Sequence, residues 1–304
     1  MRWFRFITAV FFTITLSGKL FAQGADDARA LVKEGQKLVQ EKKFTEAIAK
    51  YQAALKIDST SLFADYQLAY ALFLNNRGNE GIAYLNKIVN TDSKISSAAY
   101  ELLGLIYFKN HEYEKAEESS VAAIKSDPLH ASTQRMYALV SFHQDKRAQA
   151  LLAFCSFILL EPNTARSKEA FGNIGHILQG GALKLDAGEH TPVTDANTES
   201  LNKAITQAVA EFAGRRYKQP ADLLSAQLTA IFTNIGKIAA EQSGNDFFRN
   251  YLAAFFYKLA QSDNMPAFAR LVSQSDPSSA KWISENPQQM ADLQKWVTST
   301  ERNF

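Results

Sequence analysis

The stretch YELLGLIYFKNHEYEKAEESSVAAIKSDP, residues 100–128, contains two helical segments and a terminating proline. Apolar residues recur on a helical period from Tyr100 to Phe108, polar residues interrupt it, and a second period runs from Tyr113 to Ile124. Pro128 cannot continue a helix, and it biases the residue before it away from helical angles. The stretch therefore predicts two short helices joined by a tight turn.

This two-helix pattern occurs four times at intervals of about 34 residues, over approximately 28–61, 62–95, 97–130 and 131–164. Small residues recur where the two helices of each unit must approach closely. They are Gly35, Ala69, Gly104 and Ala138 on the first helices, and Ala47, Gly81, Ala116 and Ala150 on the second. A larger side chain at these positions would hold the helix axes apart. Helical repeats of this length stack into solenoids, which mostly bind other proteins.

The recurring positions resemble the tetratricopeptide repeat (TPR). That family places a small residue at repeat position 8, alanine at 20 and 27, an aromatic residue near 24 and proline at 32. The matching residues are Gly35, Ala47, Tyr51 and Ala54 in the first unit, Gly104, Tyr107, Ala116, Ala123 and Pro128 in the third, and Ala138, Ala150, Phe154 and Pro162 in the fourth. The second unit departs from the pattern, with Ser93 at the proline place. The resemblance covers residues 28–162 and implies a right-handed α-solenoid that serves as a protein-binding scaffold.

The resemblance also implies which residues face a partner, because first-helix positions 2, 5, 9, 12 and 13 line a concave groove in this family. The residues expected in the groove are Phe63, Tyr66, Tyr70, Phe73, Glu101, Leu105, Phe108, Arg135, Leu139 and Phe142. Phe73, Phe108 and Phe142 share position 12 and are expected to form a stripe. Val32 and Gln36 occupy the first two places of the Lys/Asn pattern by which some relatives clamp a terminal carboxylate. Co-chaperone recognition of that type is not expected here.

Two occupants are consistent with so aromatic a groove. A partner protein or an extended apolar peptide could dock there, since large exposed apolar patches usually mark interaction sites. Alternatively, the C-terminal helices of the same chain could fill the groove and bury its aromatic rings.

The first 22 residues have the pattern of a secretory signal peptide. Arg2 and Arg5 precede an apolar run from Phe6 to Leu16, and Ala22 is a small residue at the expected cleavage site. The run is too short to span a bilayer, although an uncleaved membrane anchor is the alternative. Cleavage would change the formal net charge from +2 to −1, so we expect no general attraction for nucleic acid. The expected location is the periplasm or the exterior, and the layout resembles uncharacterised exported TPR proteins of Gram-negative bacteria.

Residues 163–304 lack strand-like alternation, so the whole chain is predicted to be all-α, with a helical C-terminal region after the array. The 34-residue register is expected to end at Thr164. Residues 246–275 could form a degenerate TPR-like hairpin, whose aromatic run from Phe247 to Tyr257 predicts a buried central helix. Gly180 and Gly181 are expected to terminate a helix.

No motif for catalysis or cofactor binding is present in the sequence, so we expect neither an enzyme nor a cofactor. The polar stretch at 186–197 contains Asp186, Glu189, His190 and Asp195, which are suitable metal ligands. Surface loops carry such residues by chance, and we expect no metal site. Cys155 lies in an apolar run and is expected to be a packed, unreactive residue.

The leading hypothesis is an exported, non-catalytic scaffold that binds a partner protein or peptide through the aromatic groove. One rival is an enzyme or small-molecule binder with a site between the array and the C-terminal helices. Another is a structural component of a cell-envelope assembly that associates with itself.

Overall fold

The computed structural model describes residues 24–91, 94–181, 194–244 and 247–304, and the predicted signal peptide lies outside them. All regular structure in these residues is helical, which confirms the all-α prediction. Among them, no helix combines the length and apolarity needed to cross a bilayer. The chain contacts divide into two compact units, whose boundary lies between Ile106 and Tyr107.

The first unit consists of helices that alternate with short turns. Helix α1 covers residues 24–40 and is followed by α2 (Phe44–Ile57), α3 (Leu62–Leu74), α4 (Gly78–Val89) and the start of α5 (Ser96–Lys109). The fully buried Tyr51 of α2 packs so closely on α1 that a Cβ atom at Gly35 would lie 2.5 Å from its ring. Glycine at this position is therefore required by the close approach of the two helices.

The second unit contains the remaining helices. These are α6 (Tyr113–Ser126), α7 (Ala131–His143), α8 (Arg147–Leu160), α9 (Ala165–Leu178), α10 (Ala196–Ala210), α11 (Pro220–Glu241), a π-helix (Phe247–Ala253), α12 (Ala254–Ala260), α13 (Met265–Val272), α14 (Pro277–Glu285) and α15 (Pro287–Ser299). The predicted buried aromatic run is confirmed, since Phe247, Tyr251 and Phe256 are all almost completely inaccessible to solvent. The predicted degenerate hairpin at 246–275 stays a prediction.

Helix α8 lies at the centre of the second unit. Eleven of its 14 residues are buried, including Phe154, Cys155 and Phe157. It packs against α7, α9, α10, α13 and the π-helix. Burial raises the pKa of the Cys155 thiol far above its ordinary value, so this cysteine is a packing residue as expected.

One backbone turn repeats along the chain and marks the end of each first helix. The residues with positive φ at these ends are Lys42, Asn76, His111 and Asp145, which are 34, 35 and 34 positions apart. In each turn the amide after the positive-φ residue donates to a carbonyl five residues earlier, as Arg77 does to Leu72 at 2.8 Å. This hydrogen bond satisfies a helix-terminal carbonyl and defines the Schellman motif.

The same turn also ends α9, beyond Thr164, where the register is expected to end. Gly180 has φ +75°, lies 35 residues after Asp145, and is followed by Gly181, whose amide donates to the His176 carbonyl at 3.0 Å. Helix α9 therefore occupies the place of the first helix of a fifth repeat. Sequence matching missed it because glycines interrupt its apolar pattern, although Gly180 does terminate the helix as predicted.

Helix α10 is held to the turn between α7 and α8. The side-chain amide of Asn202 donates to the Asp145 carbonyl at 2.7 Å, and its oxygen accepts from the Arg147 amide at 3.0 Å. Asp145 is the positive-φ residue of the repeated turn, and Arg147 is the first residue of α8. The helix after α9 in the described chain is thus fixed to the preceding repeat by specific hydrogen bonds.

We predict opposite effects for alanine in place of two glycines, one within α9 and one in the turn that follows it. Gly180→Ala should lower the free energy of unfolding by about 1–2 kcal/mol, because alanine is strained at positive φ. Gly172→Ala should raise it by about 0.5–1 kcal/mol, because this glycine lies within the helix and an added methyl meets no atom within 4 Å. Urea unfolding followed by circular dichroism measures both. Equal effects at the two positions would contradict the assignment of Gly180 to the repeated turn.

Candidate functional site

Helix α3 presents an aromatic face in the first unit, formed by Phe63, Tyr66, Tyr70 and Phe73. The spacings of three, four and three residues place these side chains on one side of a helix. Phe63 is 47% exposed, and the other three are half-buried. We call these four residues the α3 aromatic face.

Stacking holds the two tyrosines of this face in a fixed arrangement. The rings of Tyr66 and Tyr70 lie 6.4 Å apart between centroids and are parallel to within 1°. Offset parallel stacking is a favourable geometry for aromatic pairs. The pair therefore offers a flat, ordered apolar surface at little further entropic cost to a ligand.

Helix α5 contributes Glu101 and Leu105 to the same unit, and both residues are half-buried. Burial raises the pKa of Tyr66, and the negative charge of Glu101 raises it further. The Tyr66 hydroxyl consequently stays protonated well beyond neutral pH and remains a hydrogen-bond donor. The α3 aromatic face thus lies beside the carboxylate of Glu101.

In the second unit, Phe108 belongs to a small cluster of aromatic rings. Its ring contacts His143 at 4.8 Å and Tyr113 at 5.7 Å between centroids. Tyr113 and His143 also stack on each other at 5.3 Å. Phe108 is half-buried, so its contacts within this cluster leave only part of the ring accessible.

Helix α9 covers the predicted groove residues of α7. Arg135 forms an ion pair with Glu169 of α9 at 2.8 Å, and Leu139 packs against the core. Phe142 is only 3% exposed, and its ring lies 6.2 Å from Phe154 and 6.1 Å from His176. The structure therefore places Phe142 inside the second unit and corrects its assignment to a partner-contacting surface.

The contacts between α7 and α9 join residues that are separated by the interval of the repeat. Arg135 bonds to Glu169, and Ser132 accepts a hydrogen bond from Arg166 at 3.2 Å. In both pairs the partners are 34 positions apart, which is the interval of the repeat. Extending the register past Thr164 would have identified these contacts.

A cavity of about 220 Å³ lies between α8 and the helices after α9, near the place expected for an enzyme site. Its lining includes Lys146, Asp195 and Arg249. Lys146 pairs with Glu117, Asp195 accepts from the Thr198 amide at the start of α10, and Arg249 donates to the Gln242 carbonyl. These charged groups make contacts within the fold, and Asp195 is the one carboxylate among the described residues that line the cavity.

The expectation of no metal site concerns residues that are mostly outside the described part of the chain. Asp186, Glu189 and His190 lie outside it. Asp195 is described, and its carboxylate caps α10 by accepting from the Thr198 amide at 2.7 Å. Within the described ranges, no cluster of three candidate metal ligands occurs.

Comparison with known proteins finds a family-model match within the predicted array. Residues 38–106 match the family model described as Tetratricopeptide repeat. Over 125 residues the chain is 25% identical to "Protein STIP1 homolog" of Dictyostelium discoideum, an alignment that covers 39% of this chain and 22% of that protein. The matched part is thus about a fifth of that relative's length.

A solved structure titled "Functional Characterization of Pseudomonas Aeruginosa pilF" also matches, with 18% identity and a TM-score of 0.46. The match covers 78% of this chain and 98% of the other.

We predict that two phenylalanines of the expected groove differ sharply in their contribution to stability. Phe142→Ala should lower the free energy of unfolding by about 3–5 kcal/mol, because it empties a buried site. Phe63→Ala should change it by less than about 0.5 kcal/mol, because half of the ring is already in water. Chemical denaturation of both variants measures the difference. A small loss for Phe142→Ala would show that this ring lies outside the core.

Proposed function

Because residues 38–106 match the tetratricopeptide repeat model, we propose that the chain is a non-catalytic scaffold whose α3 aromatic face binds a partner protein. Proteins of this family bind other proteins. The observation that carries the proposal is the exposure of Phe63 beside the stacked pair Tyr66 and Tyr70. Large side chains that remain in water, next to ordered aromatic surface, are the usual composition of an interaction site.

The chemistry of this face favours a particular kind of partner segment. The rings of Phe63, Tyr66 and Tyr70 suit an apolar or aromatic side chain, which would lose its hydration on binding. We therefore expect the partner segment to contribute an apolar or aromatic side chain to this face.

We further propose that the protein acts outside the cytoplasm, in the periplasm or the exterior of a Gram-negative cell. The support is the charged start, short apolar run and small residue at position 22 of the sequence.

Catalysis is not part of the proposal, because the sequence carries no nucleophile, phosphate or metal motif.

Photo-crosslinking tests the binding surface. We expect a photoreactive phenylalanine analogue at Phe63 to capture a partner from cell-envelope extracts, and Phe63→Ala/Tyr70→Ala in the unlabelled chain to fail to compete for it. The matched control is Leu129→Ala, which removes a 78% exposed apolar side chain elsewhere and should compete like wild type. If both variants compete equally, the α3 aromatic face is not the binding surface. Capture of only a second copy of this chain would favour the self-associating alternative.

Sequencing the N-terminus of the protein isolated from cell fractions tests export. We expect Gln23 as the first residue and recovery from the periplasmic or extracellular fraction, because cleavage should follow Ala22. An Arg2→Glu/Arg5→Glu variant should accumulate uncleaved, since export signals need a positive start. An intact N-terminus in a membrane fraction would instead support the uncleaved anchor.

A further inference from the structure

Residues 300–304, which follow α15, are non-helical and lie against aromatic rings of the π-helix and α12. The guanidinium carbon of Arg302 is 3.7 Å from the ring centroid of Phe255, 5.2 Å from that of Tyr251 and 5.9 Å from that of Phe256. Its Nη1 donates to the Ser156 hydroxyl of α8 at 2.6 Å. Arg302 thus occupies a pocket made of three ring faces and one hydroxyl.

The aromatic side chain two residues later occupies a neighbouring surface. The Phe304 ring stacks on Tyr251 at 4.8 Å and on Phe247 at 6.4 Å, with interplanar angles of 8° and 10°. Phe247, Tyr251 and Phe255 are four residues apart and lie on one side of the helix. π-Helical turns of this kind are frequent at functional sites. This aromatic surface therefore accommodates both an arginine and an aromatic ring two residues after it.

Ring faces and a hydroxyl group hold the cation of Arg302 in this pocket. In the described part of the chain, no carboxylate forms an ion pair with the half-buried Arg302, and desolvation lowers the pKa of its guanidinium. Removing the cation from water is costly, and ring faces compensate only partly. Phe304 remains 45% exposed, and Glu301 and Asn303 are exposed too. The Thr300 amide and hydroxyl both donate to the Trp296 carbonyl, and Arg302 and Phe304 supply the contacts of the tail with the aromatic rings.

We propose that this pocket is a second binding site, which takes a peptide segment with an arginine followed two residues later by an aromatic residue. Residues 300–304 occupy it in the absence of such a segment. The site lies in the second unit and goes beyond the binding surface proposed above. The arginine and the aromatic side chain of such a segment would take the positions of Arg302 and Phe304. The displaced tail would then regain contacts with water and conformational entropy.

Fluorescence anisotropy with a fluorescein-labelled Thr-Glu-Arg-Asn-Phe peptide tests the proposal. We expect the full-length Arg302→Ala/Phe304→Ala variant to bind this peptide at least about tenfold more tightly than wild type, whose tail fills the pocket. A peptide with citrulline in place of arginine keeps the shape and loses the charge, so it should bind about tenfold more weakly. Equal binding of the two peptides, or no binding by a variant with the wild-type circular dichroism spectrum, overturns the proposal.

Two further measurements test the proposal if the double variant does not fold. Arg302→Gln with Phe304 retained should show the same preference for the arginine peptide, and its failure to do so overturns the proposal. In the wild type, ring currents from Phe255 should shift the Arg302 Nε–H signal in NMR spectra. Excess peptide should return this signal to its random-coil position, and an unchanged signal also overturns the proposal. If the wild type forms a dimer and the Arg302→Ala/Phe304→Ala variant does not, the pocket binds a second copy of this chain. That result also overturns the proposal.

Discussion

The second unit depends on the burial of helix α8 on nearly all sides. A helix with eleven buried residues out of 14 has no face that water can hydrate, so other helices must cover it completely. Helix α7 supplies one side, as the repeat requires, and α9, α10, α13 and the π-helix supply the others. The cover extends to polar groups, since the buried Ser156 hydroxyl of α8 accepts its hydrogen bond from Arg302. The last predicted repeat and the helices after it therefore share one core.

A second constraint acts on the backbone and sets the spacing of the array. In the described residues, five first helices are each followed two positions later by a residue with positive φ, and the next amide donates to the carbonyl five residues back. Because each unit needs this turn at the same place, the interval between turns stays at 34 or 35 residues even where the side-chain pattern is poor. Helix α9 shows this directly, since it keeps the turn at Gly180 while glycines dilute its apolar periodicity.

Equivalent positions of the repeat have different surroundings, and this difference defines the candidate binding surface. Phe73 and Phe142 occupy the same repeat position, yet Phe73 is half-buried and Phe142 is almost completely enclosed. Phe142 is enclosed because α9 follows α7 and brings His176 against its ring. The α3 aromatic face keeps Phe63 in water. The predicted uniform stripe thus divides into residues that can contact a partner and residues that belong to the core.

The sequence by itself determined the all-α class, the repeat and the first-helix positions from which the candidate site was drawn. These follow from local causes: helical periodicity, small residues at close helix contacts, and prolines that end helices. It also identified the aromatic run from Phe247 to Tyr257 as buried, because a helix apolar on most sides must be covered. Only the tertiary structure decided which elements cover which faces. It placed α9 over Phe142, left Phe63 exposed, and brought Arg302 into contact with Phe255 and with Ser156, a residue 146 positions earlier. Such pairings depend on the packing of the whole unit, and no local pattern of residues encodes them.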